Sequence, residues 1–202
     1  MATTISGTSG VTFPAGGVGN PAGAVVGTTD TQTLTNKTLG SGLVAGASLI
    51  TSGTAVASTS GTSISFTSIP SWVKRITVMF NGMSLSGSAN PLIQIGSGST
   101  DITGYVSTSA AVIDASSSAA SSSTAGFIMR SATAANTNSG HMVLTNISGN
   151  IWISSHYIKT ATTTTSIGGG DKTLSGVLDR VVITTTNGTD TFDLGSINIL
   201  YE

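Results

Sequence analysis

The sequence predicts an all-β protein, in which an extended N-terminal segment precedes an antiparallel, jelly-roll-like β-sandwich. The 202 residues include 34 Thr and 32 Ser, whereas charged residues make up only 7%, against roughly 25% in an ordinary soluble domain. Residue types that favour helices are scarce, and Thr, Val and Ile, which favour strands, are plentiful. Several segments also alternate apolar and polar residues, as expected for strands with one buried face.

Residues 1–55 are predicted to form an extended segment that cannot fold alone. Phe13 is their single aromatic residue, and Asp30 and Lys37 are their only charged residues. Gly and Pro interrupt the segment, and its apolar residues are too sparse to bury one face of a sheet. Leu34 and Leu39 are five positions apart, so a straight strand would point them to opposite faces. We therefore expect identical copies to order this segment in a closed symmetric assembly.

Residues 56–202 are predicted to form the sandwich, because apolar and polar residues alternate clearly there and both Trp and all three Tyr lie there. A Ser-Gly-Asn sequence at 148–150 is typical of a hairpin turn, and Asn-Gly at 187–188 is a strong turn signal. About eight strands are expected at the spacing of a sandwich. The clearest are residues 63–67, 74–80, 92–95, 141–147, 151–158, 179–185 and 196–201.

Two segments of small residues are harder to assign. Residues 107–139 are mostly Ser, Ala, Thr and Asn, which favours a solvated loop; the alternative is a strand of small residues packed against a neighbouring subunit. Residues 167–173 read Ile-Gly-Gly-Gly-Asp-Lys-Thr, superficially like a phosphate-binding loop. Asp171 would place a negative charge where phosphate lies, and no helix is predicted to follow. We therefore predict a turn between strands at 167–173.

The composition argues against several function classes. A net charge of −1 gives no basic surface for nucleic acid. Without cysteine there is no disulfide scaffold, thiolate zinc site or cysteine nucleophile. The apolar runs are far too short for a membrane helix, and the N-terminus lacks the pattern of a secretory signal peptide. We expect no enzyme activity, no cofactor and no membrane insertion.

Few residues are candidates for metal binding. His141 and His156 are predicted to lie on neighbouring strands, as isolated histidines or, alternatively, meeting across a trimer axis at a metal ion. Calcium sites need several converging oxygens, and the aspartates do not match such a spacing. We expect solvated turn aspartates at Asp171, Asp179, Asp190 and Asp193.

Aromatic residues are the candidates for sugar stacking, because aromatic faces bind the apolar faces of sugars. Trp72, Trp152 and Tyr157 are also natural core or interface residues in a chain with so few aromatics. Residues 84–90 and 116–124 are small and polar, and we expect them in loops at the end opposite the N-terminal segment. The candidate receptor contacts are Ser116, Ser117, Ser118, Trp152 and Tyr157.

Four segments carry a family resemblance. Residues 28–39, Thr-Thr-Asp-Thr-Gln-Thr-Leu-Thr-Asn-Lys-Thr-Leu, resemble a motif that recurs in fibre and appendage proteins of tailed bacteriophages. Residues 10–15 are similar to a sequence near the start of such proteins, and residues 69–78 and 191–201 resemble the C-terminal domain of phage and prophage tail-fibre-type proteins. The resemblance implies a virion structural protein, usually a homotrimer, and offers no catalytic motif to transfer.

The resemblance also implies partners and a location. It places the chain in the virion, on other virion proteins of the tail or capsid. The missing signal-peptide pattern indicates assembly in the host cytoplasm, and we expect the distal β domain to contact a host surface glycan. The alternative is a capsid decoration or head-fibre protein without receptor binding. Because charges are few, we also expect stability to change little between about pH 5 and 9. The residues expected to anchor and trimerise are Phe13, Asp30, Gln32, Leu34, Asn36, Lys37 and Leu39.

Overall fold

The structure, a computed structural model, describes residues 4–6, 10–12, 50–113 and 116–202, with only the backbone for 4–6, 10–12 and 116–118. The chain divides into two units, Met1–Ala47 and Ser48–Glu202. In the first unit, β1 (Thr4–Ser6) and β2 (Gly10–Thr12) pair antiparallel. The predicted anchoring and trimerisation residues, from Phe13 to Leu39, lie outside the described residues.

The second unit consists of strands, and its described residues include no helix. It follows that no helix in this part of the chain could cross a membrane. The fourteen strands are β3 (Thr51–Ser52), β4 (Val56–Ala57), β5 (Ile64–Thr67), β6 (Arg75–Leu85), β7 (Pro91–Ser97), β8 (Ser99–Thr100), β9 (Tyr105–Ile113), β10 (Ser116–Ser123), β11 (Phe127–Ile128), β12 (Asn138–Ser148), β13 (Ile151–Ala161), β14 (Thr164–Thr173), β15 (Arg180–Thr185) and β16 (Phe192–Tyr201).

These strands form two antiparallel sheets. The larger has nine strands in the order β10-β9-β14-β13-β12-β6-β16-β3, with β4 also paired to β16. The smaller has five, in the order β11-β7-β15-β5, with β8 paired to β7. The predicted all-β antiparallel fold is confirmed, and each strand predicted by alternation coincides with or lies within an observed one to within a residue or two at its ends.

One apolar core lies between the two sheets. On β13 burial alternates strictly, so the even-numbered residues Trp152 to Thr160 point into the core. The smaller sheet contributes Phe66, Ile93, Ile95, Val181 and Ile183. Burying one such side chain contributes about 1.5–3 kcal/mol. The larger sheet supplies Ile76, Val78, Phe80, Met142, Leu144, Trp152, Ile158, Ile197 and Ile199.

The segment 107–139 is not the predicted solvated loop over most of its length. Residues 107–113 belong to β9, and β10 pairs antiparallel with it, placing Ala120 opposite Ala110 and Ser122 opposite Thr108. Backbone hydrogen bonds to a neighbouring strand do not require large side chains, so a strand of Ser and Ala forms where such a neighbour exists. The alternative of a small-residue strand is therefore the better description, with β9 of the same chain as its partner.

The segment 167–173 is also a strand rather than a turn. It lies in β14, between β13 and β9. A Cβ on Gly168 would collide with the carbonyl oxygen of Thr108 and the ring of His156, and one on Gly170 with the carbonyl oxygen of Val106. The glycines are therefore required by close packing inside the sheet, not by a turn.

The chain enters the sandwich at one end of the larger sheet. Thr51 pairs with Tyr201, and the Gly53 N–H donates to the Ile199 carbonyl at 2.8 Å. Residues 50–55, which the sequence analysis assigned to the N-terminal segment, thus lie with the sandwich. We call the end at Tyr201 the entry end. The far end is marked by Leu85, which pairs with Phe192 at the opposite end of β6.

Candidate functional site

The solvent-facing side of the larger sheet is the most unusual surface of the described chain. On β13 the odd-numbered residues point outward, and Tyr157 is 67% exposed. We call this side of β10, β9, β14, β13, β12, β6 and β16 the outer face. The large apolar side chains exposed on it include Val106, Val112, Ile151, Ile153, Tyr157 and Ile167.

The strand register arranges the outer face in rows that cross the sheet. The row nearest the entry end that spans five strands runs Val106, Asp171, Ile153, Thr145, Arg75. The next runs Ser122, Thr108, Gly169, Ser155, Val143, Thr77, Leu200, and the third runs Ala120, Ala110, Ile167, Tyr157, His141, Met79, Asn198.

The outer face is large enough to be an interface. Its seven strands span about 29 Å and β13 extends about 36 Å, which gives about 1,000 Å². Apolar patches on monomeric proteins rarely exceed a few hundred Å², whereas a stable protein–protein interface uses about 800 Å² per partner. The area of this sheet face, which also carries many Ser, Thr and Gly residues, is therefore comparable with one side of such an interface.

The structure separates the predicted receptor residues. Trp152 was a candidate contact, and this is wrong: it is 3% exposed and lies in the core. Tyr157 is five positions further along the same strand, so it points to the opposite side and is exposed. Ser116, Ser117 and Ser118 lie on β10 at the far end, as their backbone shows. Trp72 is 54% exposed and contacts Tyr201 at the entry end, with ring centroids 5.9 Å apart.

Two loops are tied together at the far end. The Asp190 carboxylate accepts hydrogen bonds from the Ala89 N–H at 2.8 Å and from the Asn187 side-chain amide at 2.7 Å. The Asn187 amide and the Ala89 N–H hold the pKa of Asp190 below its usual value. A side chain at position 87 would collide with this carboxylate, so Gly87 permits the contact. Residues 86–90 therefore form a fixed far-end loop, as predicted, although Ser84 belongs to β6.

The two histidines cannot share a metal ion within one chain. His141 pairs with Tyr157 and is exposed on the outer face, whereas His156 points into the interior and is 7% exposed. Among the described residues no three His, Cys, Asp or Glu side chains cluster as metal ligands. Asp179 bonds Arg180 at 2.8 Å and Asp190 lies in a turn, but Asp171 and Asp193 lie on strands rather than in the predicted turns.

His156 belongs to a buried group of hydroxyls. Its Nε2 lies 3.0 Å from the Ser109 Oγ and 3.2 Å from the Ser166 Oγ, while its Nδ1 has no partner among the described residues. Burial lowers the pKa of His156 from 6.5 to about 4, so the imidazole is neutral near pH 7. No carboxylate orients this ring, so the contact lacks the third member of a hydrolase triad.

The serines of this group join the two sheets. The Ile128 N–H donates to the Ser107 Oγ at 2.9 Å, and the Arg130 N–H donates to the Ser109 Oγ at 3.0 Å. Between them, the Met129 N–H donates to the Pro91 carbonyl. Along the segment 128–130, the backbone N–H groups therefore donate in turn to a serine side chain of β9, to the backbone of β7 and again to a serine side chain of β9. The Ser107 and Ser109 hydroxyls thus accept hydrogen bonds that hold the two sheets together, which gives these buried polar groups a structural role.

A second buried contact was not anticipated from the sequence. The Tyr105 hydroxyl accepts the Ile95 N–H at 2.8 Å and lies 3.0 Å from the Asp101 carbonyl. Lys172 lies 5.3 Å from the Tyr105 ring centroid and bonds the Asp101 carboxylate at 2.8 Å. Desolvation raises the pKa of Tyr105. The sequence offers only a weak sign of this contact, which is a single tyrosine, Tyr105, at the start of β9.

Comparison with protein-family models, with curated proteins and with solved structures finds no match to this chain.

Proposed function

We propose that this chain is a structural subunit of a tailed-bacteriophage virion, a homotrimeric fibre or appendage protein without catalytic activity. The observation that carries the proposal is the outer face, a sheet face of about 1,000 Å² on which several large apolar side chains are exposed. A catalytic protein concentrates titratable groups in a cleft, whereas a subunit of an assembly presents a broad surface of this kind. The resemblance of residues 28–39 to fibre proteins agrees with it.

On this proposal the N-terminal segment holds the chain on the tail or capsid, and the sandwich projects from it. Thr51 enters the larger sheet beside Tyr201, at the end of the sandwich opposite the far-end loops. The loop 86–90 and the turn at Asn187 are fixed to each other through Asp190. Fixed polar loops on a rigid scaffold suit hydrogen bonding to glycan hydroxyls, and three copies would raise a weak affinity through avidity.

One observation favours the second candidate, a capsid decoration or head-fibre protein that binds no receptor. The described far-end loops, residues 86–90, 129–137, 162–163 and 186–191, contain no aromatic residue, so they lack a stacking surface for sugars. Trp152, one of the three sugar-stacking candidates, lies in the core. Display or reinforcement of the particle requires the trimer and the anchor but no sugar site.

Immunogold electron microscopy of purified particles tests the proposal, with antibodies raised against this chain. Gold at the tail supports the fibre, and gold distributed over the capsid supports the decoration protein. Particles that carry no gold, while the chain is present in the same lysate, would refute a virion function. A particle-displayed chain that binds host cells, and loses binding when residues 86–90 are replaced by Gly and Ser, would assign the receptor role.

A further inference from the structure

We infer that the outer face is the contact between copies of this chain, with three copies packed around an axis that runs parallel to β13. This inference rests on the homotrimer of the proposed function and specifies its interface. The observation behind it is that the residues of each row differ between the two sides of β13. A rotation axis parallel to the strands keeps every residue at its own height, so each row meets the same row of a neighbouring copy.

The two halves of the outer face, the first formed by β14, β9 and β10 and the other by β12, β6 and β16, differ in side-chain size. In the third row, β9 and β10 carry the small residues Ala110 and Ala120 beside Ile167 on β14, whereas β6, two strands to the other side of β13, carries Met79. In the second row Ser122 and Thr108 lie on the first half, and Leu200 lies on the other. A neighbouring copy rotated about the proposed axis places the larger residues of one half against the smaller residues of the other.

The two halves also differ in charge. Asp171 and Arg75 lie in one row, on β14 and β6, with two strands between them. Within one copy they are about 14 Å apart, too far for an ion pair. Arg75 bonds Glu202 at 3.0 Å, and none of the ion pairs among the described residues involves Asp171. Across the interface, Arg75 of one copy lies opposite Val106 of the next, one strand spacing of about 4.8 Å from the strand that carries Asp171.

The middle of the outer face provides the axis. Ile151, Ile153 and Tyr157 all point outward from β13, the fourth of the seven strands. With β13 nearest the axis, each of these residues meets its two equivalents in an apolar layer. Lys159, on the same side, bonds the Thr137 carbonyl at 3.2 Å and its hydroxyl at 3.1 Å, which draws its charge away from the axis.

The partner is a copy of this chain rather than another protein, because in two rows a large residue of one half lies opposite a small residue of the other. Met79 lies opposite Ala110, and Leu200 lies opposite Ser122. Such a contact between unlike halves is heterologous, and it closes when the rotation completes a ring. A pair of copies would leave half of each outer face exposed, and a ring of three covers all of it. Tyr157 is then an interface residue, not a receptor contact.

Cross-linking tests this arrangement directly, because the chain contains no native cysteine. The full chain would carry Met79→Cys with Ala110→Cys and be treated with a short bismaleimide. Four strand intervals separate these positions within one copy, or about 19 Å, so the short linker cannot join them there. The matched control is Ser65→Cys with Ala110→Cys, since Ser65 is exposed on the smaller sheet.

We expect covalent dimers and trimers from the first pair and none from the control. Light scattering on the proteins before cross-linking measures how many chains associate, so it distinguishes an error in the interface from an error in the oligomeric state. A three-chain mass without cross-linked trimers would overturn this interface and leave the homotrimer standing. A one-chain mass would overturn both. Dimers that never extend to trimers, or equal products from the control, would contradict the three-fold arrangement.

Discussion

His156 makes the stability of the sandwich depend on pH, although the chain contains few charges. Its imidazole points into the interior, where Nε2 contacts two serine hydroxyls and Nδ1 contacts no polar atom of the described chain. The charged form would lose its hydration there without gaining an anion. Burial therefore lowers the pKa of His156 from 6.5 to about 4.

The direction of the effect follows from this lowering. The unfolded chain binds a proton at a higher pH than the folded chain does, so acid favours unfolding. The contribution of the neutral imidazole is complete above about pH 6.5 and is lost progressively towards pH 4. At about 1.4 kcal/mol per pKa unit, the full loss is about 3 kcal/mol. About 2 kcal/mol of it is lost by pH 5, which corrects the expectation of nearly constant stability between about pH 5 and 9.

Urea unfolding at pH 7 and pH 5, at one protein concentration, measures this loss. Wild type should lose about 2 kcal/mol between the two pH values. His156→Gln should be less stable at pH 7 but should show little change with pH. His141→Gln is the matched control, because His141 is exposed, and it should behave like wild type. The reasoning is refuted if His156→Gln retains the pH dependence of wild type.

Five substitutions, two of which are controls, test the packing of the sandwich by urea unfolding at pH 7. Trp152→Ala should cost about 3–5 kcal/mol because the ring is buried, and Trp72→Ala about 1 kcal/mol because its ring is half exposed; equal costs would contradict the assignment of Trp152 to the core. Tyr105→Phe should cost about 1–3 kcal/mol by leaving a buried N–H unpaired, whereas Tyr157→Phe should cost nothing measurable. Gly168→Ala should cost about 1–3 kcal/mol, since its Cβ would meet the backbone of the neighbouring strand; an unchanged midpoint would show that β14 has room there.

Alternation predicted the strands that carry large side chains and failed for those that do not. β5, β6 and the hairpin of β12 and β13 were recognised because apolar residues recur every second position. β10 and β14 consist largely of Ser, Ala, Gly and Thr, so they have no apolar period to detect. Their neighbours in the sheet hold them in place, and sequence spacing does not contain that information.

The outer face could not be predicted from the sequence because the two sides of β13 have a similar apolar character. Trp152 and Ile158 lie on one side of the strand, and Ile153 and Tyr157 on the other. Because both sides carry large apolar residues, the sequence alone could not decide which side faces the core. That double apolar character is typical of strands covered on both faces. It was the one signal in the sequence that could have identified the outer face as an interface.

Sedimentation velocity of the full chain at micromolar concentration tests most directly whether the outer face assembles copies of this chain. Wild type should sediment with the mass of three chains. Ile153→Asp places a charge at the proposed axis and should sediment as one folded chain, with an unchanged β-sheet circular dichroism spectrum. Ile102→Asp, at a position 63% exposed outside the outer face, should remain a trimer. A wild-type chain that is folded and monomeric, or an Ile153→Asp chain that remains trimeric, would contradict the account.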